Sequence, residues 1–316
     1  MLFKDIYLVG FRPWLSFIWK AHLTNWFWRD RLKRRLIRQN YFLEMKLSYL
    51  RKYIPYIKNL KADNNIDSHE DLENEKMFTL WFQGIENAPH VVKQCVDSVK
   101  KFYGSRLVIL DDNSIPEYIT LPEYVIDKKN QKIMGPANFS DIVRLELLYK
   151  YGGYWFDATD FMMRPVPDLI KDSDFFMFVS SDLLNPHMFV ANCFIRAKKG
   201  DPLLKMWRDL VLEYWKNENK NVDYFLVHYL LRLLVTYNDQ AKALFEKMPK
   251  LLQDPLHLLW FKYGDKPFES QFYDEIKKQI FIQKLSYRKL KFANTEIVPG
   301  STKDYIINNK FKPTQP

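Results

Sequence analysis

The stretch SDIVRLELLYKYGGYWFDATD, residues 140–160, decides how this chain folds. Ile142, Val143, Leu145, Leu147, Leu148 and Tyr149 recur at helical spacing, so a helix is expected over residues 139–150. Gly152-Gly153 supplies the backbone freedom that ends it, and Tyr154-Trp155-Phe156 begins a buried strand. Asp157 then falls at the C-terminal end of that strand, the edge where open α/β sheets bind their ligands. Asp141 and Arg144 stand three apart, so both side chains can face one side of the helix. Asp160 adds a second carboxylate within a turn of Asp157.

On either side of this block, short apolar runs alternate with helical periodicity. Residues 77–82 (MFTLWF) read as a strand, 89–103 as an amphipathic helix, and 106–110 (RLVIL) as a strand ending at Asp111-Asp112-Asn113. Residues 175–179 and 193–195 are further strands, and 202–216 and 223–236 are helices. The alternation predicts an α/β sheet covered by helices. The runs at 161–163 and 175–178 read as core.

The chain has 316 residues, a net charge of +10 and two cysteines, Cys95 and Cys193, each in apolar surroundings. Two isolated thiols make neither a disulfide framework nor a structural zinc site and fit a reducing compartment. The charge is concentrated: residues 1–61 hold 14 Lys/Arg against 3 Asp/Glu, leaving the rest close to neutral. Residues 6–19 are apolar, but Arg12-Pro13 interrupts a stretch too short to span a bilayer, and no signal-peptide pattern is present. Trp14, Phe17, Trp19, Trp26, Phe27 and Trp28 are interleaved with Lys20, Arg29, Arg31, Lys33, Arg34, Arg35 and Arg38. That mixture suits an anionic membrane surface; a helical pair packed on the body and a nucleic-acid module are the alternatives. Residues 59–76 read as a polar linker.

No phosphate loop, GxGxxG fingerprint, HExxH or GxSxG elbow occurs. Clustered hard oxygens at Asp157 and Asp160 suit Mg²⁺ or Mn²⁺, with a diphosphate completing the shell. Arg144 can bind a phosphate or sugar oxygen, or lock Asp141 in place; an ordinary Asp–Arg pair beside a turn is the plainer alternative.

The central block resembles the capsular polysaccharide synthesis family of bacterial glycosyltransferases. More distantly it is similar to glycosyltransferase family 32 and the sugar-transferase domain of clostridial toxins. LWFQG (80–84), VILDDNSIPEYI (108–119), NCFIRAKKGDPLL (192–204), DYFLVHYLL (223–231) and FIQKLSYR (281–288) follow in the family's order. The resemblance implies a GT-A-like nucleotide-sugar-binding core over residues 77–200. A basic helical extension (1–61) and linker (62–76) would precede it, and residues 201–316 would complete the active site.

The resemblance also implies roles. Trp81 would flank the nucleobase, Ser140 would contact the nucleotide, and Asp141 and Arg144 would hold donor-sugar hydroxyls. Asp157 would be the first carboxylate of a DxD-like motif, whose second position is Thr159 here, with Asp160 one place late. Thr159 or Asp160 would complete a Mn²⁺ or Mg²⁺ site. Trp155 shares the Asp157 face by strand alternation and is expected to touch the nucleotide. Asn192 would face the sugar or acceptor, and Lys284 and Ser286 the diphosphate. Asp223 is a further site candidate or a helix cap, and His228 and His257 read as structural.

The implied reaction moves a sugar, UDP-linked by expectation, to a lipid-linked oligosaccharide with retention. It would take place at the cytoplasmic face of the bacterial cell membrane, with no nucleic acid involved. A scaffold that binds nucleotide-sugar without turnover is the alternative.

Overall fold

The computed structural model describes residues 31–62, 75–180, 189–288 and 297–308, with side chains from residue 39 onward. Residues 6–30 of the aromatic–basic pattern, the side chains of 31–38, and residues 63–74 of the polar stretch 59–76 therefore lie outside the described residues.

Seven strands are described: β1 (Met77–Leu80), β2 (Leu107–Leu110), β3 (Gly153–Phe156), β4 (Asp160–Met162), β5 (Phe175–Val179), β6 (Val190–Ala197) and β7 (Ile282–Lys284). Helices of nine residues or more are α1 (Arg31–Leu50), α2 (His90–Tyr103), α3 (Pro136–Tyr151), α4 (Pro202–Asn217), α5 (Leu226–Tyr237), α6 (Asp239–Lys247) and α7 (Ser270–Gln279). Five strands form one mixed sheet in the order β2-β1-β3-β6-β5, with β1 parallel to β2 and β3, and β6 antiparallel to β3 and β5. β4 and β7 make a separate antiparallel pair. The α/β class expected from the sequence is the class found.

Strand alternation sorts side chains to two covered faces. Phe78, Leu80, Trp155, Met177 and Ile195 pack with α1, α3, α4 and α5. Met77, Tyr154, Phe156, Phe176, Phe178 and Phe194 pack with α2 and residues 256–285. Phe281 belongs to the second face: it stacks on Phe178 at 5.9 Å and meets Phe194 edge-on at 5.1 Å. That contact fixes the start of β7 against the sheet, and the β4–β7 register then sets Lys284 opposite Asp160.

Three expectations change. The division after residue 61 does not divide the core, because Leu43, Leu47, Leu50, Tyr53 and Ile57 are buried in the same cluster as the sheet. The polar stretch ends buried: Glu75 ion-pairs with Arg196 at 2.9 Å, and the Lys76 carbonyl accepts from Tyr154 N at 2.9 Å. Residues 193–195 are the middle of an eight-residue strand, so Asn192 is its third residue rather than its start.

Gly153 is fixed by space as well as by backbone angle. Its φ is +88°, and a Cβ there would stand 2.1 Å from the carbonyl oxygen of Lys76, in the neighbouring segment that leads into β1. Gly104 has φ +54° with nothing within 4 Å of its would-be Cβ. Gly153→Ala is expected to cost about 3 kcal/mol or more, and Gly104→Ala about 1 kcal/mol, in denaturant-unfolding midpoints.

Candidate active site

The C-terminal ends of β1 and β3 lie side by side, and the chain leaves them as Trp81 and Asp157. β2 has crossed to the far side of β1, so this is where the strand order reverses and a crevice opens. α3 runs back along the sheet toward β3, carrying Asp141 and Arg144 on the turn nearest the edge.

The Arg144 guanidinium lies between two acids, with Nη2 3.5 Å from Asp141 Oδ1 and 3.3 Å from Asp157 Oδ1. It also donates to the Asn192 carbonyl and, at 3.4 Å, to Ser140 Oγ, and its Cζ is 4.9 Å from the centre of the Trp155 ring. Asn192 Nδ2 donates to Asp141 Oδ1 at 3.0 Å. Trp155 Nε1 donates to Asp157 Oδ1 at 3.0 Å, while Lys284 Nζ donates to Asp157 Oδ2 at 2.6 Å and lies 3.2 Å from Asp160 Oδ1. Three carboxyl groups and two cations thus form one network, tied to α3, β3, β4, β6 and β7.

Burial and charge act unevenly on the three acids. Burial pushes the Asp141 carboxyl up to about 7, opposed by Arg144 and assisted by Asp157. It pushes Asp160 up to about 7 against the pull of Lys284. Asp157 keeps a solvent face, its side chain 28% exposed, and Lys284 with Arg144 outweighs burial to hold it below the ordinary carboxylate range. Lys284 and Arg144 are both held more firmly protonated, because the acids outweigh burial. Asp157 is the permanent anion here, and the network with all groups ionised has one negative charge in excess.

Of the buried polar atoms among the described residues that lack a hydrogen-bond partner in the protein, three belong to this site: Trp81 Nε1, Arg144 Nε and Asp160 Oδ1. Asp160 Oδ1 has only the Lys284 ammonium nearby. A carboxylate oxygen met by a single ammonium, beside a second carboxylate in a cluster with excess negative charge, fits a divalent cation of the Mg²⁺ or Mn²⁺ type. Among the described residues no group of three or more His, Cys, Asp or Glu forms a complete shell, so the remaining donors would come from substrate and water. Thr159 contributes a backbone contact: its carbonyl accepts from Leu285 N at 2.9 Å.

Ser140, Asp141, Arg144, Trp155, Asp157, Asp160, Asn192 and Lys284 are brought together as one cluster. Trp155 is only 1% exposed, so in this arrangement it positions Asp157 from beneath instead of presenting a face to the crevice. Trp81 stands beside the cluster with its ring edge-on to Tyr287 at 5.1 Å. Ser286 is turned away into a bond with Arg288 N at 3.2 Å. Asp223 is outside the network, paired with Lys46 and accepting from Phe225 N. His228 is buried and pushed down to about 3, and the half-buried His257 to about 4, so both are neutral imidazoles at neutral pH. Sequence reasoning missed Tyr224 and Tyr287, although each lies inside a landmark it had marked.

The chain belongs to the capsular polysaccharide synthesis protein family, whose model matches residues 27–300. It is similar to the O-glycosyltransferase braB of Annulohypoxylon truncatum, 30% identical over 183 residues, 52% of this chain and 43% of that protein. The O-glycosyltransferase PaGT of Phomopsis amygdali is 24% identical over 173 residues, 49% and 43% of the two chains. The match therefore spans less than half the length of these relatives. Among solved structures, the PaToxG glycosyltransferase aligns over 78% of this chain and 100% of its own, with TM-score 0.37 and 15% identity.

The raised carboxyls carry a pH signature. A group protonated up to about 7 when folded, but only to about 4 when unfolded, stabilises the fold below pH 4 and loses that contribution as pH rises through 7. Asp141→Asn removes this dependence. The melting temperature of the variant minus that of wild type is expected to rise between pH 4 and 7.5 and then level off, as read by scanning calorimetry.

Proposed function

We propose that this chain is a glycosyltransferase that moves a sugar from a nucleotide-sugar, with UDP as the expected nucleotide, to an acceptor hydroxyl. The observation that carries this is the Asp141–Arg144–Asp157–Lys284–Asp160 network at the sheet's switch point, with the unpartnered Trp81 indole at its side. Family membership and the glycosyltransferase names of the relatives point the same way.

In this scheme the Trp81 face takes the nucleobase and its N–H finds an acceptor there. Ser140 and Asn192 lie close enough to Arg144 and Asp141 to share the polar groups of the donor. Arg144 and Asp141 orient the transferred sugar through its hydroxyls. Lys284 faces the negative charge that grows on the departing diphosphate, and Asp157 holds that ammonium in place. Asp157 and Asp160 would hold a Mn²⁺ or Mg²⁺ ion, which supplies further positive charge for the leaving group. No side chain is assigned as a base on the acceptor, in keeping with transfer that retains anomeric configuration.

The acceptor we propose is a lipid-linked oligosaccharide in capsular or surface polysaccharide assembly, met at the inner face of a bacterial membrane. Support comes from the family and from the basic, aromatic residues 1–38. Among the described residues, no helix is long and apolar enough to cross a membrane.

Incubation with a panel of UDP-sugars, with Mn²⁺ or with EDTA, tests the reading through release of UDP. Turnover with one donor is expected, greater with Mn²⁺, and reduced about 100-fold or more in Asp157→Asn and Lys284→Met. Binding of a donor with no UDP release would replace this function with that of a nucleotide-sugar-binding scaffold.

A further inference from the structure

Tyr224 is 67% exposed, the most open of the large apolar side chains among the described residues. It does not sit on a loose loop. Residues 218–225 join α4 to α5, and side chains from three directions pin them. Glu218 accepts from Tyr49 at 2.6 Å and Tyr53 at 3.2 Å and pairs with Lys52, while its carbonyl accepts from Lys128 Nζ at 3.0 Å. Asn221 Nδ2 donates to Asn138 Oδ1 at 2.7 Å, on the first turn of α3. Asp223 pairs with the buried Lys46 of α1 and bonds the Tyr229 hydroxyl. Val222 is buried, so the segment is held flat with the Tyr224 ring standing out of it.

The same ties hold the segment against α3 and β6, the elements that carry Ser140, Asp141, Arg144 and Asn192. Asn138 lies two residues before Ser140 on α3. The Phe225 ring packs on His228 at 5.7 Å, and His228 bonds the backbone of Val190, two residues before Asn192 on β6. Burial first, then the charges of Asp157 and Asp141, hold the Tyr224 phenol above its ordinary range. Trp81 and Tyr287 occupy the nucleobase side of the crevice, so the acceptor has to approach past another wall. A rigidly mounted, solvent-facing phenol beside the reacting centre offers a flat apolar face with a polar tip.

We infer that Tyr224 is the acceptor platform, its ring bearing on the apolar face of the acceptor sugar, at a position set by α1 through Lys46–Asp223 and the Glu218 clasp. This rests on the glycosyltransferase reading above. Tyr224 contacts the acceptor; Lys46 is a positioning residue that acts through Asp223.

The experiment follows UDP release from a UDP-sugar panel with and without octyl glycosides of glucose, galactose and N-acetylglucosamine as surrogate acceptors. In Tyr224→Ala the acceptor KM is expected to rise roughly 3- to 10-fold, the size of one aromatic contact. Tyr224→Phe should stay near wild type, which separates loss of the ring from misfolding. Lys46→Met should raise the acceptor KM and leave donor KM alone, Lys46→Arg should restore it, and Lys46→Met should have no further effect once Tyr224 is Ala. An unchanged acceptor KM in Tyr224→Ala, or a wild type that hydrolyses donor but uses no octyl glycoside, overturns the platform while leaving the transferase reading intact. A folded wild type that releases UDP from no donor overturns both.

Discussion

The ammonium of Lys284, seated between Asp157 and Asp160, is the contact on which the rest of the site depends. Without it, two carboxylates at the end of β3 and the start of β4 would face one another in a partly dry crevice, and like charges there cannot both stay ionised at neutral pH. With it, Asp157 remains an anion, and Asp157 in turn anchors Arg144 and accepts the Trp155 indole N–H. Lys284 arrives by pairing with β4, and β7 is held by Phe281 wedged against Phe178 and Phe194. The aromatic core on one face of the sheet therefore fixes the electrostatics at its edge.

Those electrostatics bear on the ligand proposed above. A cluster with three acids and two cations does not attract a diphosphate by charge alone. Under the proposed function it would become receptive when Asp141 and Asp160, both pushed up to about 7, carry protons, or when a divalent cation joins the carboxylates. Either route leaves Lys284 and Arg144 free to turn toward substrate oxygens.

Much of this was legible locally. The α3 helix, the Gly152-Gly153 break, β3 and the carboxylate at its end follow from one continuous stretch whose periodicity changes from 3.6 to 2. The site residues on that stretch were picked for the same reason. Pairings across long separations were not legible: Lys284 with Asp157 is 127 residues apart and Lys46 with Asp223 is 177. β4 and β7 are three residues each, too short to leave a pattern. The packing of residues 43–57 was hidden for a related reason. The charge of the N-terminal extension drew the eye, while the apolar positions from Leu43 to Ile57 that bind it into the core are spread thinly among Lys and Tyr. A truncation meant to test membrane binding has to stop before residue 39, since removing all of 1–61 would take part of the core with it.

Titration calorimetry with UDP, on wild type and on Lys284→Met, addresses the charge network directly. If the network is a diphosphate site, wild type binds UDP, and Lys284→Met weakens that binding at least tenfold while its near-ultraviolet circular dichroism stays native. Equal affinity in the two proteins, or no binding to a folded wild type with and without Mn²⁺, would mean that Lys284 and its acids only hold the fold together.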